Sequence, residues 1–157
     1  MRRAVLTALL SFTLPALAQP AVKLYAPAAE VQALIAKAKT DHKSDAVNTV
    51  EPLASVTGYP IQLEYRTGTT PPTIHPGDDE LIEVIEGACT LITGGTLDGL
   101  KPGATGAMTV SGTSITGGSG RRISKGDYVL VPANTPHQYT EVQGLVIVSL
   151  HMPKKTP

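Results

Sequence analysis

The sequence predicts an all-β fold, a closed barrel or sandwich of short strands, with a single short helix ahead of it. Two observations carry the prediction. From Leu53 onward the chain is a series of short β-rich runs separated by Gly and Pro, the pattern of many strands joined by turns. Only one stretch, opened by Pro27, has helical periodicity.

The chain has 157 residues, the size of one domain. Its first eighteen residues are expected to be a secretory signal peptide. Arg2 and Arg3 give a basic start, Ala4 to Leu14 an apolar run, and Ala16-Leu17-Ala18 a small-residue cleavage site. That apolar run is too short to span a bilayer. The expected location is therefore periplasmic or secreted, with no membrane association after cleavage. Cleavage would remove two basic residues and no acid, leaving 11 basic groups against 13 acidic ones. A chain with so little positive charge is not expected to bind nucleic acid. The only Phe, Phe12, leaves with the signal and there is no Trp, so the core must be Val, Ile, Leu, Ala and Tyr.

Residues 19–52 read as an N-terminal linker and helix, 53–152 as the β-barrel and 153–157 as a frayed tail. Within the first segment the helix should run from Pro27 to about Lys39. Val31, Leu34, Ile35 and Ala38 fall at i, i+3, i+4 and i+7, one narrow apolar stripe. Lys37 and Lys39 suit the negative end of the helix dipole. Residues 40–50 are polar and read as a loop, with His42 as a solvated surface residue.

The expected strands are 61–66, 81–86, 88–93, 107–110, 113–116, 121–123, 127–131, 137–142 and 145–151. Gln62, Glu64 and Arg66 share one face of the first, and would matter to a site only if that face lines the interior. The Gly-, Thr- and Ser-rich stretch 94–120 reads as a solvated loop with hairpin character. Cys89 is the single cysteine, so the chain has no internal disulfide. Its apolar neighbours make it a buried, inert thiol.

Two distant stretches read as halves of one metal site. In the first, alternation places Glu80, Ile82 and Val84 on one face, with Leu81, Glu83 and Ile85 on the other. A carboxylate on an apolar interior face is costly unless it is paired or bound to a cation. His75 precedes Glu80 across Pro76-Gly77-Asp78, a turn that can bring imidazole and carboxylate together. Asp78, Asp79 and Glu83 read as solvated turn and outward-strand acids. In the second stretch, Gly126-Asp127 starts a strand, Pro132-Ala133-Asn134 turns, and His137 opens the next strand with Tyr139 on its face. Asn tolerates the left-handed backbone such turns use.

The spacings His75-x4-Glu80-x6-Gly87 and Gly126-x5-Pro132-x-Asn134-x2-His137 resemble the two signatures of the cupin superfamily, over roughly residues 55–151. The resemblance implies a jelly-roll β-barrel with ligands from both signatures meeting inside it. It implies His75, Glu80 and His137 as ligands of a divalent transition metal such as iron, manganese, nickel or zinc. Two His and one carboxylate suffice to hold such an ion with positions open. The sequence departs from the family at Thr73, where the first signature has its first His, and at Asn134, where the second has Gly.

His151 ends the last apolar strand on the face of Ile147 and Ser149. It stands either at the barrel rim or, if that face looks inward, as a fourth ligand or proton carrier. Tyr139 reads as core, with a secondary candidacy as a catalytic proton carrier. The expected function is that of an exported, metal-dependent cupin enzyme acting on a small organic molecule. The alternative is a non-catalytic binder of a sugar or other small ligand with a degenerate or absent metal site. A homodimer formed through exposed strand edges is a third expectation.

Overall fold

The structure, a computed structural model, describes residues 22–56, 59–100 and 108–154. The signal-peptide reading of residues 1–18 and the last three residues of the tail lie outside them.

Among the described residues, helix α1 (Ala28–Thr40) is followed by ten strands. These are β1 (Asn48–Val56), β2 (Tyr59–Arg66), β3 (Thr73–Ile74), β4 (Asp78–Thr93), β5 (Thr96–Asp98), β6 (Val110–Ser111), β7 (Ser114–Thr116), β8 (Ser119–Ser124), β9 (Tyr128–Val131) and β10 (His137–Pro153). Eight strands form one antiparallel sheet system. β1, β2, β10, β3 and β6 follow one another in it, and β4 joins β10 to β8 and β9. β5 and β7 pair separately as a small hairpin-like ladder.

Two long strands replace four short ones. The expected strands 81–86 and 88–93 are one strand, β4, and 137–142 and 145–151 are one strand, β10. Each bends where a residue has positive φ: Gly87 in β4, Glu141 and Gly144 in β10. A bend breaks the apolar alternation, so one strand reads as two. At Gly87 the buried parity also switches, from Glu80, Ile82 and Val84 to Cys89 and Leu91. No side chain fits there: a Cβ on Gly87 would lie 2.3 Å from the Gly144 carbonyl oxygen.

Residues 48–50, read as loop, belong to β1, an edge strand that pairs with β2 and is otherwise met only by a bridge from Lys23 to Ser55 among the described residues. Its polar start and Pro52 hid it, and Pro is tolerated on an edge or at a bulge, which lies between Pro52 and Ala54. The expected strand 107–110 corrects to Val110–Ser111, which pairs with β3. The stretch 94–120 thus carries strands β5 to β7 and the first residues of β8. β10 extends into the expected tail through Pro153, and the Lys154 N–H donates to the Gly77 carbonyl. His42 is half-buried rather than solvated. Its two ring nitrogens lie 2.8 and 2.9 Å from the hydroxyls of Thr49 and Thr67.

The core has two parts. One fills the inside of the barrel with Ile82, Val84, Cys89, Leu91, Ile123, Val131, Tyr139, Leu145 and Ile147. The other lies outside β2 and β10, where α1 packs Ile35 and Ala38 against Leu63 and Val146. The apolar stripe read from the sequence is the face α1 buries. Because α1 takes one side of β2, Gln62, Glu64 and Arg66 are left for the other, which lines a cavity inside the barrel. Cys89 is buried as expected, and loss of hydration pushes its thiol up to about 11.

Candidate metal centre

The two stretches meet. The Asn134 N–H donates to the His75 carbonyl at 3.0 Å, and the Ala133 N–H donates to Asp79 Oδ1 at 2.7 Å. Asn134 has φ 61, the left-handed conformation that its position in the turn requires. Asp79 therefore fastens the second stretch to the first and is not a free solvated acid. Asp78 is buried, also against expectation, because the chain pairs it with Pro153 at the far end of β10.

Strand register explains the rest. β10 places His151 directly opposite Glu80 of β4, and places His137 directly opposite Thr73 of β3. Alternation turns Glu80 inward with Ile82, and turns His151 inward with Ser149 and Ile147. His151 is thus an interior residue and not a rim one.

Three imidazoles surround one carboxylate. Glu80 is 2% exposed. Its Oε2 lies 3.4 Å from His137 Nε2 and 3.6 Å from His75 Nε2, and its Oε1 lies 3.9 Å from His151 Nε2. The ring of His75 stands 4.5 Å from that of His151 and 5.1 Å from that of His137. Ligand atoms of His75, Glu80 and His151 all fall within 4.8 Å of one another, a spacing that one ion could bridge. The sequence named His75, Glu80 and His137 first. All four residues gather here, with His151 in the tightest group.

The hydrogen bonds fix which nitrogens face the centre. His75 Nδ1 lies 3.1 Å from the Met108 carbonyl, and His137 Nδ1 lies 3.2 Å from the Thr135 carbonyl. A carbonyl only accepts, so each Nδ1 carries the proton and donates. When neutral, each ring then turns an Nε2 lone pair toward Glu80; when protonated, it turns an N–H there instead. Lone pairs aimed at a carboxylate repel it unless a proton or a metal ion lies between them. Glu80 Oε2 is buried with no hydrogen-bond partner among the described residues, and a cation beside it would satisfy it. A metal-bound His that donates its other N–H to a carbonyl is the usual supporting arrangement. The donor set fits a divalent transition metal.

Charge follows the same geometry. Burial disfavours the Glu80 carboxylate, yet the surrounding histidines outweigh it and lower its pKa. For His75 burial opposes protonation, but Glu80 raises the pKa overall. For His137 burial prevails over Glu80 and the pKa falls. Tyr139 is held protonated, since burial and then the Glu80 charge push its phenol well above the usual value. It can donate a hydrogen bond but is no base at neutral pH.

The site opens into a cavity of about 320 Å³. Beside the imidazoles, its lining includes a polar group that the sequence did not mark as a site. Glu64 accepts hydrogen bonds from Arg66 (2.5 Å), Asn48 (3.0 Å) and Ser149 (2.7 Å). Arg66 lies over the Tyr139 ring, 4.2 Å from its centre. The alternation of Gln62, Glu64 and Arg66 was the available signal, but only the position of α1 decided which way it faced.

No protein-family profile matches the chain, and no curated protein does. Solved structures do. An uncharacterised protein with a double-stranded β-helix domain from Klebsiella pneumoniae superposes with TM-score 0.53 at 11% identity, over 78% of this chain and 90% of that one. KdgF from a Halomonas species superposes with TM-score 0.51 at 15% identity, over 73% and 87%. A cupin-2 domain protein from Shewanella frigidimarina reaches 0.48 at 12% identity, over 77% and 92%. The chain has the double-stranded β-helix, or cupin, fold.

Proposed function

From that fold and its four convergent side chains, we propose that the protein binds one divalent transition metal through His75, Glu80, His151 and His137. We further propose that it uses the centre on a small organic molecule held in the adjoining cavity. The single observation that carries the reading is the buried Glu80 carboxylate. Its Oε2 has no hydrogen-bond partner among the described residues and faces the Nε2 atoms of two imidazoles whose Nδ1 atoms are held by backbone carbonyls.

Such an ion, when bound, acts as a Lewis acid or redox centre toward a ligand at its open positions. The protein's own residues divide the remaining work. Glu80 sets the charge of the site and His75 and His137 orient it. Met108 and Thr135 hold the tautomers through their carbonyls. Tyr139 forms part of the cavity wall between Arg66 and His137. His151 Nδ1 is buried without a partner among the described residues, which leaves Nε2 as the atom turned toward Glu80. The same reading makes the protein an exported one, on the strength of the sequence of residues 1–18.

A second reading, a non-catalytic binder of small ligands, is favoured by Thr73, which replaces an expected ligand with a hydroxyl.

Metal analysis of untagged protein, prepared without added metal, tests the first reading. One ion per chain is expected, lost in His75→Ala and in His151→Ala with the fold retained. A folded wild-type protein that carries no metal, and takes up none when offered zinc, manganese, nickel or ferrous iron, removes it.

A further inference from the structure

Strands β1, β2, β10, β4 and β9 lie side by side in that order, and the two edges of this layer are built differently. An open strand edge offers unpaired N–H and C=O groups to any other strand, and natural sheets guard it with charge, proline, a bulge or a covering segment. The β1 edge is guarded. It carries Pro52, a bulge between Pro52 and Ala54, and the bridge from Lys23 to Ser55. β8, another strand paired with β4 alone among the described residues, carries Arg121 and Arg122. β9 has none of these guards. Its residues are Tyr128, Val129, Leu130 and Val131, all uncharged, and Tyr and Val favour strands. Tyr128 is 64% exposed and Leu130 57%. Leu130 also begins an in-register row, Leu130, Leu81, Leu150 and Ile61, across the outer face. The α1 core takes in Ile61 but not the three leucines.

The ladder says which backbone groups of β9 are free. The Val84 N–H donates to the Asp127 carbonyl. Bonded pairs recur at every second residue of an antiparallel ladder. In the β4–β9 register the next are Ile82 with Val129 and Glu80 with Val131. The N–H and C=O groups of Tyr128 and Leu130 therefore point away from β4, into the open edge. They have no backbone partner among the described residues. Tyr128 and Val129 also border a surface cleft of about 200 Å³, so solvent reaches this side of the strand.

A second copy of β9 fits this edge in one register. Pairing about a two-fold axis sets each strand antiparallel to its copy. With the axis at Val129, Tyr128 of each copy opposes Leu130 of the other, and every free N–H meets a free C=O. With the axis at Tyr128, Leu130 would oppose Gly126, whose N–H already donates to the Val84 carbonyl. With the axis at Leu130, Tyr128 would oppose Pro132, which has no N–H. The Val129 register alone satisfies the whole edge. It also sets Tyr128 against Leu130 on the outer face, an aromatic–aliphatic cross-strand pair, in both halves. A foreign strand would meet the same groups without this match in length and side chains.

We propose that β9 is a homodimerisation edge, through which two chains join about a two-fold axis at Val129 into one continuous sheet. The edge is short, so the dimer is a reversible one of the small-interface class. The inference concerns the outer rim of the sheet and does not depend on the metal reading.

Sedimentation velocity of the full purified chain, from about 1 to 200 µM, tests it. Wild type is expected to pass from monomer to dimer in that range. Leu130→Lys, a change at an exposed position, should raise the midpoint at least tenfold. Leu130→Pro should do the same, since it keeps an apolar side chain and removes an N–H that β4 does not use. Circular dichroism and thermal melting check the fold of each variant, and Leu130→Lys carries the test if Leu130→Pro fails to fold. Cross-linking in oxidised glutathione reads the register. Val129→Cys sets two thiols opposite one another at the axis, in a non-hydrogen-bonded pair with Cα atoms about 4.5 Å apart, within disulfide reach. Tyr128→Cys leaves them two residues out of step. Cys89 is buried and does not compete. Val129→Cys should therefore form a linked dimer at least tenfold faster than Tyr128→Cys. A wild type that stays monomeric throughout overturns the proposal, including one that is monomeric alone but carries a different protein on this edge. A dimer that survives in the folded Leu130 variants overturns it as well, and so does equal cross-linking of the two cysteine variants.

Discussion

Thr73 Oγ1 lies 3.2 Å from His137 Nε2, because β3 and β10 place these residues directly opposite one another. The residue that replaces an expected imidazole does not leave a hole. Its hydroxyl is in reach of the lone pair that a metal would use. Hydroxyl and ion therefore compete for one nitrogen. Thr73→Val keeps the β-branched shape and removes the competitor. On the proposed metal reading it should keep the ion and bind it more tightly, by no more than the ~1 kcal/mol that one hydrogen bond contributes net. A chelator-competition titration reads this directly. Loss of metal in Thr73→Val would instead make Thr73 itself a ligand.

Glu80 gives the metal-free protein an acid-sensitive stability. Its carboxyl has a lowered pKa in the folded state, against about 4.3 in an unfolded chain. The stability it contributes is present above pH ~4.3 and lost as pH falls through the folded value. His75, with a raised pKa, contributes below about 6.5 and loses that contribution as pH rises through its folded value. His137, with a lowered pKa, has the opposite sign on the same flank, so the two offset there. The acid limb is thus the clean signal. Urea unfolding between pH 3 and 6 should show a steeper decline for wild type than for Glu80→Gln, both stripped of metal. Parallel declines would mean that the histidines do not stabilise the carboxylate.

Gly87→Ala should be strongly destabilising. Its Cβ would meet the Gly144 carbonyl oxygen at 2.3 Å, from a residue already at φ 72. Backbone strain of this kind costs about 1–3 kcal/mol before the clash is counted, so a total of about 3 kcal/mol or more is expected from urea denaturation. Gly126→Ala offers the comparison. It also has positive φ, at 91, but nothing within 4 Å of its Cβ, so its loss should be smaller.

Cys89 should be silent toward thiol reagents in the native state. It is buried, and its thiol titrates at about 11, so almost no thiolate exists at pH 8. One thiol per chain should react once urea unfolds the protein. Rapid labelling of the folded form would place Cys89 in a region that opens readily.

Much of this was legible in the sequence, and particular residues show why. Asn134 could be placed in a left-handed turn because few residues tolerate that backbone, and Pro132 marks the spot. Glu80 could be placed inside because Ile82 and Val84 share its parity. His151 followed from the parity of Ile147 and Ser149, but parity gives a face and not a direction. Only the pairing of β10 with β4 settles that His151 lies across from Glu80. Arg66 and Asn48 were less legible still. They come from neighbouring strands, and only register and the packing of α1 bring Asn48 Nδ2 and Arg66 Nη2 onto one carboxylate. The bends at Gly87 and Gly144 misled the reading of strands, since a pattern of period two cannot show that a strand continues through a break in it.

Among the described residues β10 is the last strand, and it carries two of the three imidazoles that converge on Glu80. A chain still being made or threaded owns His75 and Glu80 long before it owns His137 and His151 in place. Two ligands alone, in an unformed barrel, have no hold on an ion. On the proposed metal reading, an ion would therefore enter after the final strand has docked, drawn from the ions present where folding finishes. For donors of this kind affinity alone does not choose among first-row metals, so on that reading the metal supply where folding finishes would join geometry and ligand type in selecting the ion.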